Sequence, residues 1–319
     1  MRRSNEDAMM MERHKTRQTR AFPGIEALTA TLLLFLSATG YAATGGAWLE
    51  IGAGGRAAAL GEAMTAAVEG PTATYWNPAA VGLAGNRAEV MHAAWIGEAN
   101  SQYLATDFDL GAWGLGFSAL HVGIDDLELR SGPSAEPEGS FQSRNIALGF
   151  SVARALPIKS LRLGVSGRYL KDKLYMYDAE GYAFDIGLLQ RGLLKGHLDV
   201  GLSVRHLGEM GALKTEEYDL PVTYSAGVQY HVLRMGIVEP SVMLDVVQVA
   251  DYDLSLRGGL EVKVSEYFYA RGGYASGYDA RGVSGGFGLQ WNGWRFEYAY
   301  TPFTEDLGNA QRFSFGMQW

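Results

Sequence analysis

Apolar and polar residues alternate with a period of two along most of this chain. Val222, Tyr224, Ala226, Val228, Tyr230 and Val232 are separated by Thr223, Ser225, Gly227, Gln229 and His231. Leu254, Leu256, Gly258, Leu260, Val262 and Val264 alternate likewise with Ser255, Arg257, Gly259, Glu261, Lys263 and Ser265, and Trp294, Phe296, Tyr298 and Tyr300 with Arg295, Glu297, Ala299 and Thr301. The last residues repeat the pattern: Phe313, Phe315, Met317 and Trp319 against Arg312, Ser314, Gly316 and Gln318. A period of two puts one set on each face of a strand. The pattern predicts strands over 88–97, 101–110, 112–122, 144–155, 160–170, 181–189, 196–207, 221–232, 237–248, 254–264, 267–276, 281–290, 294–301 and 311–319. That is fourteen, an even number. Pro240 interrupts the segment 237–248, and aromatics fall on both faces of 267–276. Asn292-Gly293 reads as a hairpin turn, and 124–143, 209–220 and 302–310 as longer polar loops. No amphipathic crossover helix lies between these segments, which argues against a parallel α/β fold.

Two all-β solutions fit. A soluble sandwich keeps its apolar face in the core, whereas a transmembrane barrel turns that face to lipid and the polar face to its lumen. The polar-face positions Gly149, Ser151, Gly164, Ser166, Gly201, Ser203, Ser225, Gly227, Ser284, Gly286 and Gly288 are small, which suits a crowded interior. Strands of about ten residues match a tilted spanning strand. The predicted fold is therefore an all-β transmembrane antiparallel barrel of about 14 strands, in contact with membrane lipid.

The N-terminus adds an export signal. Arg2, Arg3, Arg13, Lys15, Arg17 and Arg20 precede an apolar run from Ala27 to Leu36 and small residues at Gly40, Ala42 and Ala43. This layout predicts a signal peptide over 1–42; its apolar run is about half the ~20 residues of a spanning helix. Beyond residue 42 the chain carries 21 Lys/Arg and 31 Asp/Glu. That balance argues against nucleic acid as a partner. The 319 residues contain no cysteine, which removes thiolate catalysis and Cys-ligated zinc.

Residues 48–82, WLEIGAGGRAAALGEAMTAAVEGPTATYWNPAAVG, break the strand pattern. They predict a helix from about Arg56 to Val68 and a turn at Gly70-Pro71. Gly52, Gly54 and Ala57 match a dinucleotide-type G-x-G-x-x-A spacing, but no βαβ unit surrounds it. Here the chain resembles a known family. The run IGAGGRAAALGEA, then TATYWNPAAVG, then AEVMHAAWIGEANSQYLA is similar to the start of PorV/PorQ outer-membrane proteins, relatives in fold of FadL-type fatty-acid transporters. The likeness is strongest over about 48–110. It implies an N-terminal hatch over 43–86 inside a barrel over 87–319, in the bacterial outer membrane. Gly52, Gly54, Arg56, Trp76, Asn77, Pro78 and Ala79 would carry the hatch motif, with Asn77-Pro78-Ala79 as its NPA. Ala80-Val81-Gly82 departs from the Gly-Leu that more often follows. Gly and Ala allow close backbone approach to a barrel wall, and Pro78 restricts Asn77 so that its amide can serve local backbone groups. The alternative reading of Trp76-Asn77-Pro78 is a plain turn leading into a strand. Phe313, Phe315, Met317 and Trp319 resemble the terminal signal read by barrel-assembly machinery.

No catalytic, cofactor or metal constellation stands out, so no enzyme is expected. Asp125, Asp126 and Glu128 read as a solvated acidic loop, and none of His92, His121, His197, His206 and His231 forms an i, i+4 pair. Asp199, Arg205, Arg257, Glu261, Arg295, Glu297 and Arg312 read as cross-strand pairs filling a polar lumen. Two functions stay open. The resemblance implies a partner or anchor for exported proteins, as in type IX secretion; the alternative is a FadL-like transporter or channel for a hydrophobic small molecule. The small and charged inward positions favour the first.

Overall fold

The computed structural model describes residues 45–133, 135–158, 160–214 and 218–319. The signal peptide predicted over 1–42 lies outside the described residues. Fourteen strands form among them: β1 Arg87–Ala94, β2 Asn100–Leu110, β3 Trp113–Leu129, β4 Gly139–Ala155, β5 Leu161–Leu174, β6 Tyr177–Gly192, β7 Leu198–Met210, β8 Thr223–His231, β9 Glu239–Val249, β10 Ser255–Lys263, β11 Phe268–Ala275, β12 Val283–Trp291, β13 Trp294–Pro302 and β14 Asn309–Gln318. Each pairs antiparallel with its sequence neighbour, and β14 returns to β1 with Phe315 opposite Val90, so the sheet closes on itself. Closure removes the free edges of an open sheet and leaves no second sheet for a sandwich.

Alternation decides which face is which. Phe117, Leu148, Phe150, Phe184, Ile186, Leu244, Leu256, Phe313 and Phe315 are exposed on the outer surface, while Ser151, Ser166, Ser203, Arg205, Arg312 and Ser314 are buried. Apolar residues outside and polar ones inside invert the soluble arrangement and match a barrel set in lipid. Aromatic residues gather at the end where the chain enters β1 and leaves β14, including Trp113, Trp291, Trp294 and Trp319, as in the interfacial girdles of such barrels.

Pro240 is tolerated because it is the second residue of β9, at the strand's start, where a missing N–H costs little. Asn292 and Gly293 both have positive φ, 48° and 84°, and close a tight hairpin. The acidic loop expected over 124–143 is mostly strand: β3 runs on to Leu129 and β4 begins at Gly139, leaving a short connection. A bulge between Ile124 and Leu127 absorbs Asp125 and Asp126, the latter at φ 55°. Polar residues can extend a sheet past the apolar belt because the ladder needs only backbone groups. Strands β3 to β7 accordingly reach further than β8 to β14 at that end, called the loop end below.

The described stretch before β1, residues 45–86, is almost entirely buried. It touches strands on opposite sides of the barrel, β1 to β6 and β11 to β14. The apolar core is built around it: Leu49, Leu60, Met64, Trp76 and Val81 pack with inward Met91, Tyr103, Leu170 and Met243. The helix expected over 56–68 is only α1, Gly55–Ala59. Gly61 lies against β11, where an added Cβ would stand 2.6 Å from the Tyr274 nitrogen, and both Gly61 and Glu62 have φ of 63°. Tertiary contact overrides the helix propensity of the alanines.

Candidate functional site

Residues 45–86 and the inward residues that hold them fill the interior of the barrel. After a 3-10 turn at Ala47–Glu50 the chain passes through α1, a 3-10 turn at Gly70–Thr72, α2 at Ala73–Trp76, and a last 3-10 turn at Pro78–Ala80. Such short turns leave most backbone groups without internal partners, and buried groups must find them elsewhere.

Asn77 serves several of these groups at once. It is fully buried and extended, at φ −156° and ψ 104°. Its Oδ1 accepts from the Ala79 N–H at 3.1 Å, capping the turn, while its Nδ2 donates to the Thr65 carbonyl at 2.7 Å and to the Leu188 carbonyl of β6 at 3.2 Å. Pro78 occupies the first position of the turn, where no N–H is required. The Trp76 indole donates to the Ala53 carbonyl at 2.8 Å, and the Trp76 carbonyl accepts from Ser203 of β7 at 3.1 Å. Asn77 thus ties three stretches of chain together, which a plain turn leading into a strand would not do.

The wall beside this region is made of glycine. An added Cβ would lie 2.0 Å from the Val81 oxygen at Gly114, 2.2 Å from the Pro78 carbonyl carbon at Gly164, 2.0 Å from Asn77 Oδ1 at Gly187 and 2.2 Å from the Thr65 oxygen at Gly201. A real side chain at any of these positions would displace the segment. Arg162 of β5 reaches inward and donates to the Ala79 and Val81 carbonyls at 2.9 and 2.8 Å. Arg168, also of β5, donates to the Thr74 carbonyl at 2.9 Å and pairs with Asp185 of β6 at 2.6 Å.

The opposite wall, where Gly259 and Gly273 also touch the segment's backbone, adds charge. Arg56 binds Glu261 of β10 through two bonds of 2.8 and 2.9 Å and donates to the Ala67 carbonyl at 2.7 Å. Arg271 of β11 joins Glu261 at 2.6 Å and also pairs with Glu297 of β13. Glu62 stands among three arginines: Arg281 at 3.2 Å, Arg312 at 3.4 Å and Arg257 at 3.6 Å. Burial alone would raise the Glu62 carboxyl, but Arg281, Arg257 and Arg312 together hold it below its ordinary value. Glu50 behaves alike: burial pushes it up, while Arg205, with His206 and Arg257, brings it down to about 2. Neither glutamate lies in a membrane-spanning strand. The expectation that the inward charges pair mainly across strands is therefore corrected in part. Arg205, Arg257, Glu261 and Arg312 reach carboxylates or arginines of 45–86, because the segment lies closer than the opposite strand.

Sequence reasoning gave no role to Glu50, Glu62, Tyr75, Arg162, Arg168 and Arg281. One signal was available for Glu62: it is a lone acid between apolar runs, GRAAALGEAMTAAV, opposite inward arginines. The remaining expected residues fall in the same segment. Gly52 and Gly54 have φ of 88° and 92°, and a Cβ at Gly52 would meet Glu62 Oε1 at 2.9 Å. Ala80 is absent from the positive-φ positions, so its methyl causes no strain there. Phe313, Phe315, Met317 and Trp319 lie away from this site, exposed on the outer surface of and just beyond β14.

Two cavities flank the segment. One, of about 340 Å³, sits at the loop end, lined by Ala47, Ile51, Trp95, Tyr278, Ala280 and Phe303 together with the charged Glu50, Asp279 and Arg281. Trp95 and Phe303 meet edge to face at 5.4 Å, and the Arg281 guanidinium lies 3.9 Å over the Tyr278 ring. The other, of about 470 Å³, sits at the opposite end among charged side chains including Arg56, Glu69, Lys263 and Arg295. Residues of 45–86 line both.

No family model matches the chain, and no curated protein matches it. Solved structures do. The CymD monoaromatic hydrocarbon channel superposes at a TM-score of 0.56 and 13% identity, over 84% of this chain and 98% of that one. The Pseudomonas putida toluene transporter TodX gives 0.55 and 14%, over 83% and 96%. These likenesses, with the lipid-facing belt, establish the fold as that of a bacterial outer-membrane β-barrel.

Proposed function

We propose that the protein is an outer-membrane channel for a small apolar molecule, of the kind FadL-like barrels pass, with residues 45–86 as a hatch that closes the lumen. The loop-end cavity carries this reading. Its volume falls within the ~300–1,000 Å³ of small-molecule sites, and such sites combine apolar walls with few polar groups. Trp95, Tyr278 and Phe303 offer ring edges to a planar apolar guest, since Arg281 lies over the Tyr278 ring and Arg312 over the Trp95 ring. Ala47 and Ile51 of the hatch form part of the same wall, so a guest in that cavity touches the element it must displace. The hydrocarbon specificities of CymD and TodX support the same class of solute.

Small and charged inward positions would oppose transport of an apolar solute only if they lined its path. Those positions face the segment rather than an open lumen, so they do not report the polarity of a path. The resemblance to PorV/PorQ keeps the partner role as a second reading. It is supported by the extension of β3 to β7 beyond the belt, where Tyr175 and Met176 are exposed and could receive an exported protein. The outward row Phe313, Phe315, Met317 and Trp319 is proposed to serve the assembly machinery. Phe315→Asp should then impair insertion more than Gln318→Asp.

Uptake of toluene into proteoliposomes tests the channel. Saturable uptake by the full chain, with its half-saturation raised in Trp95→Ala/Phe303→Ala, is the expected result. Uptake no faster than in protein-free liposomes, together with co-purification of an exported protein that is lost when Tyr175 and Met176 are changed, would establish the partner reading instead.

A further inference from the structure

The outer face of β4 reads Arg144, Ile146, Leu148, Phe150, Val152 and Arg154. An apolar row is thus closed by an arginine at each end. Ten residues of strand span about 33 Å, or about 25 Å along the barrel axis at a tilt of ~40°, which is the height of a lipid-facing band. The two arginines stand at opposite edges of the belt, and their surroundings differ. Arg154 lies over the Trp113 ring at 4.8 Å. Arg144, at the loop end, is exposed and directly opposite Lys173 of β5, also exposed.

Residues directly opposite in a ladder share a face, and like charges there repel. Neither cation makes an ion pair among the described residues. Asp178 of β6 is directly opposite Lys173 on its other side, but it and Glu180 both bind Lys171, at 3.5 and 2.8 Å. On its other side Arg144 faces Gly123 of β3, which has no side chain to crowd it. The same outer face carries a hydrogen-bonded row, His121 Nδ1 to Gln102 Oε1 at 2.6 Å and Gln102 Nε2 to His92 Nδ1 at 3.4 Å. The sheet thus holds two unpaired cations side by side at the edge of lipid.

We infer that Arg144 and Lys173 form a binding site for the phosphate of a lipid headgroup, with the lipid's chains lying down the Ile146–Phe150 row. A guanidinium offers two parallel donors to phosphate oxygens and a lysine a point charge. An anion between them turns repulsion into attraction. A lipid, rather than a free anion, is the occupant because the cations cap an exposed apolar track that only an acyl chain would cover.

The test titrates phosphatidic acid into the full chain held in neutral detergent and follows the singly lipid-bound species by native mass spectrometry. Each lost charge near a lipid surface weakens binding about fivefold, so Arg144→Gln/Lys173→Gln should weaken it about thirtyfold. Arg144→Lys/Lys173→Arg, which keeps both charges and would also reveal any misfolding caused by substitution here, should retain most of it. Arg130→Gln, in the nearby connection, should change nothing. Equal affinity in the neutral double variant, equal weakening in Arg130→Gln, or displacement by inorganic phosphate at the lipid's own concentration would overturn the assignment.

Discussion

The two walls that hold residues 45–86 share close backbone contact and differ in how much charge they add to it. On the side of β3 to β7 the contact is steric and local, with Gly114, Gly164, Gly187 and Gly201 letting backbone touch backbone while Arg162 and Ser203 supply bonds to carbonyls. On the side of β10 to β14 Gly259 and Gly273 touch the backbone of Leu60 and Gly61 in the same way, and a cluster of charge is added, with Glu62 and Arg56 set among Arg257, Arg281, Arg312 and Glu261. The first wall fixes where the segment lies. The second can be altered by protonation without moving an atom of backbone. If residues 45–86 act as the proposed hatch, the first property defines its closed position and the second its latch.

The comparison can be broken most severely at the steric wall. Gly201→Val would place side-chain atoms where the Thr65 carbonyl now lies, and backbone cannot give way as a flexible side chain can. The expected outcome is a barrel that still migrates as folded on a gel but conducts strongly in planar bilayers, equally at low and high salt. Glu62→Gln should come next. It leaves three buried guanidiniums short of a partner, and breaking such a pair costs about 3–5 kcal/mol. Conductance should rise, and Glu62→Asp should recover part of the closure.

Asn77→Ala sharpens the picture, because it removes a cap and two bonds without adding bulk or charge. A loss of about 1–3 kcal/mol should appear as brief, intermittent openings rather than a steady current. Acid gives the smallest effect until it is strong. Glu50 and Glu62 are held below their ordinary value of 4.5, so their contribution is complete above that value and is lost as pH falls through the folded-state pKa. The part of closure that Glu50 and Glu62 supply should therefore be unchanged from neutral pH down to about 5 and weaken only in stronger acid, towards the value of about 2 reached by Glu50. Openings that increase between pH 7 and 6 would point to groups other than these two carboxylates.

The outward half of the molecule was legible in the sequence because alternation depends only on each strand and its solvent. Leu244, Leu256 and Phe315 announce their side without reference to any other element. The inward half was legible only as small or charged. Gly164 and Gly201 read as filler until Pro78 and Thr65 are seen against them, and Arg257 read as a strand-to-strand partner until Glu62 was placed beside it. Such meanings depend on contacts between residues roughly 90 to 200 positions apart, which no local pattern encodes. The helix expected over 56–68 failed for the same reason: the alanines favour it, and the approach of Gly61 to β11 forbids it.

The most direct test of the account is the steady conductance of the full chain in planar bilayers beside that of Gly201→Val/Glu62→Gln. The account predicts a nearly silent native barrel and a large, persistent conductance when both walls are disabled, greater than in either single variant. A native barrel that already conducts as freely as the double variant would contradict it.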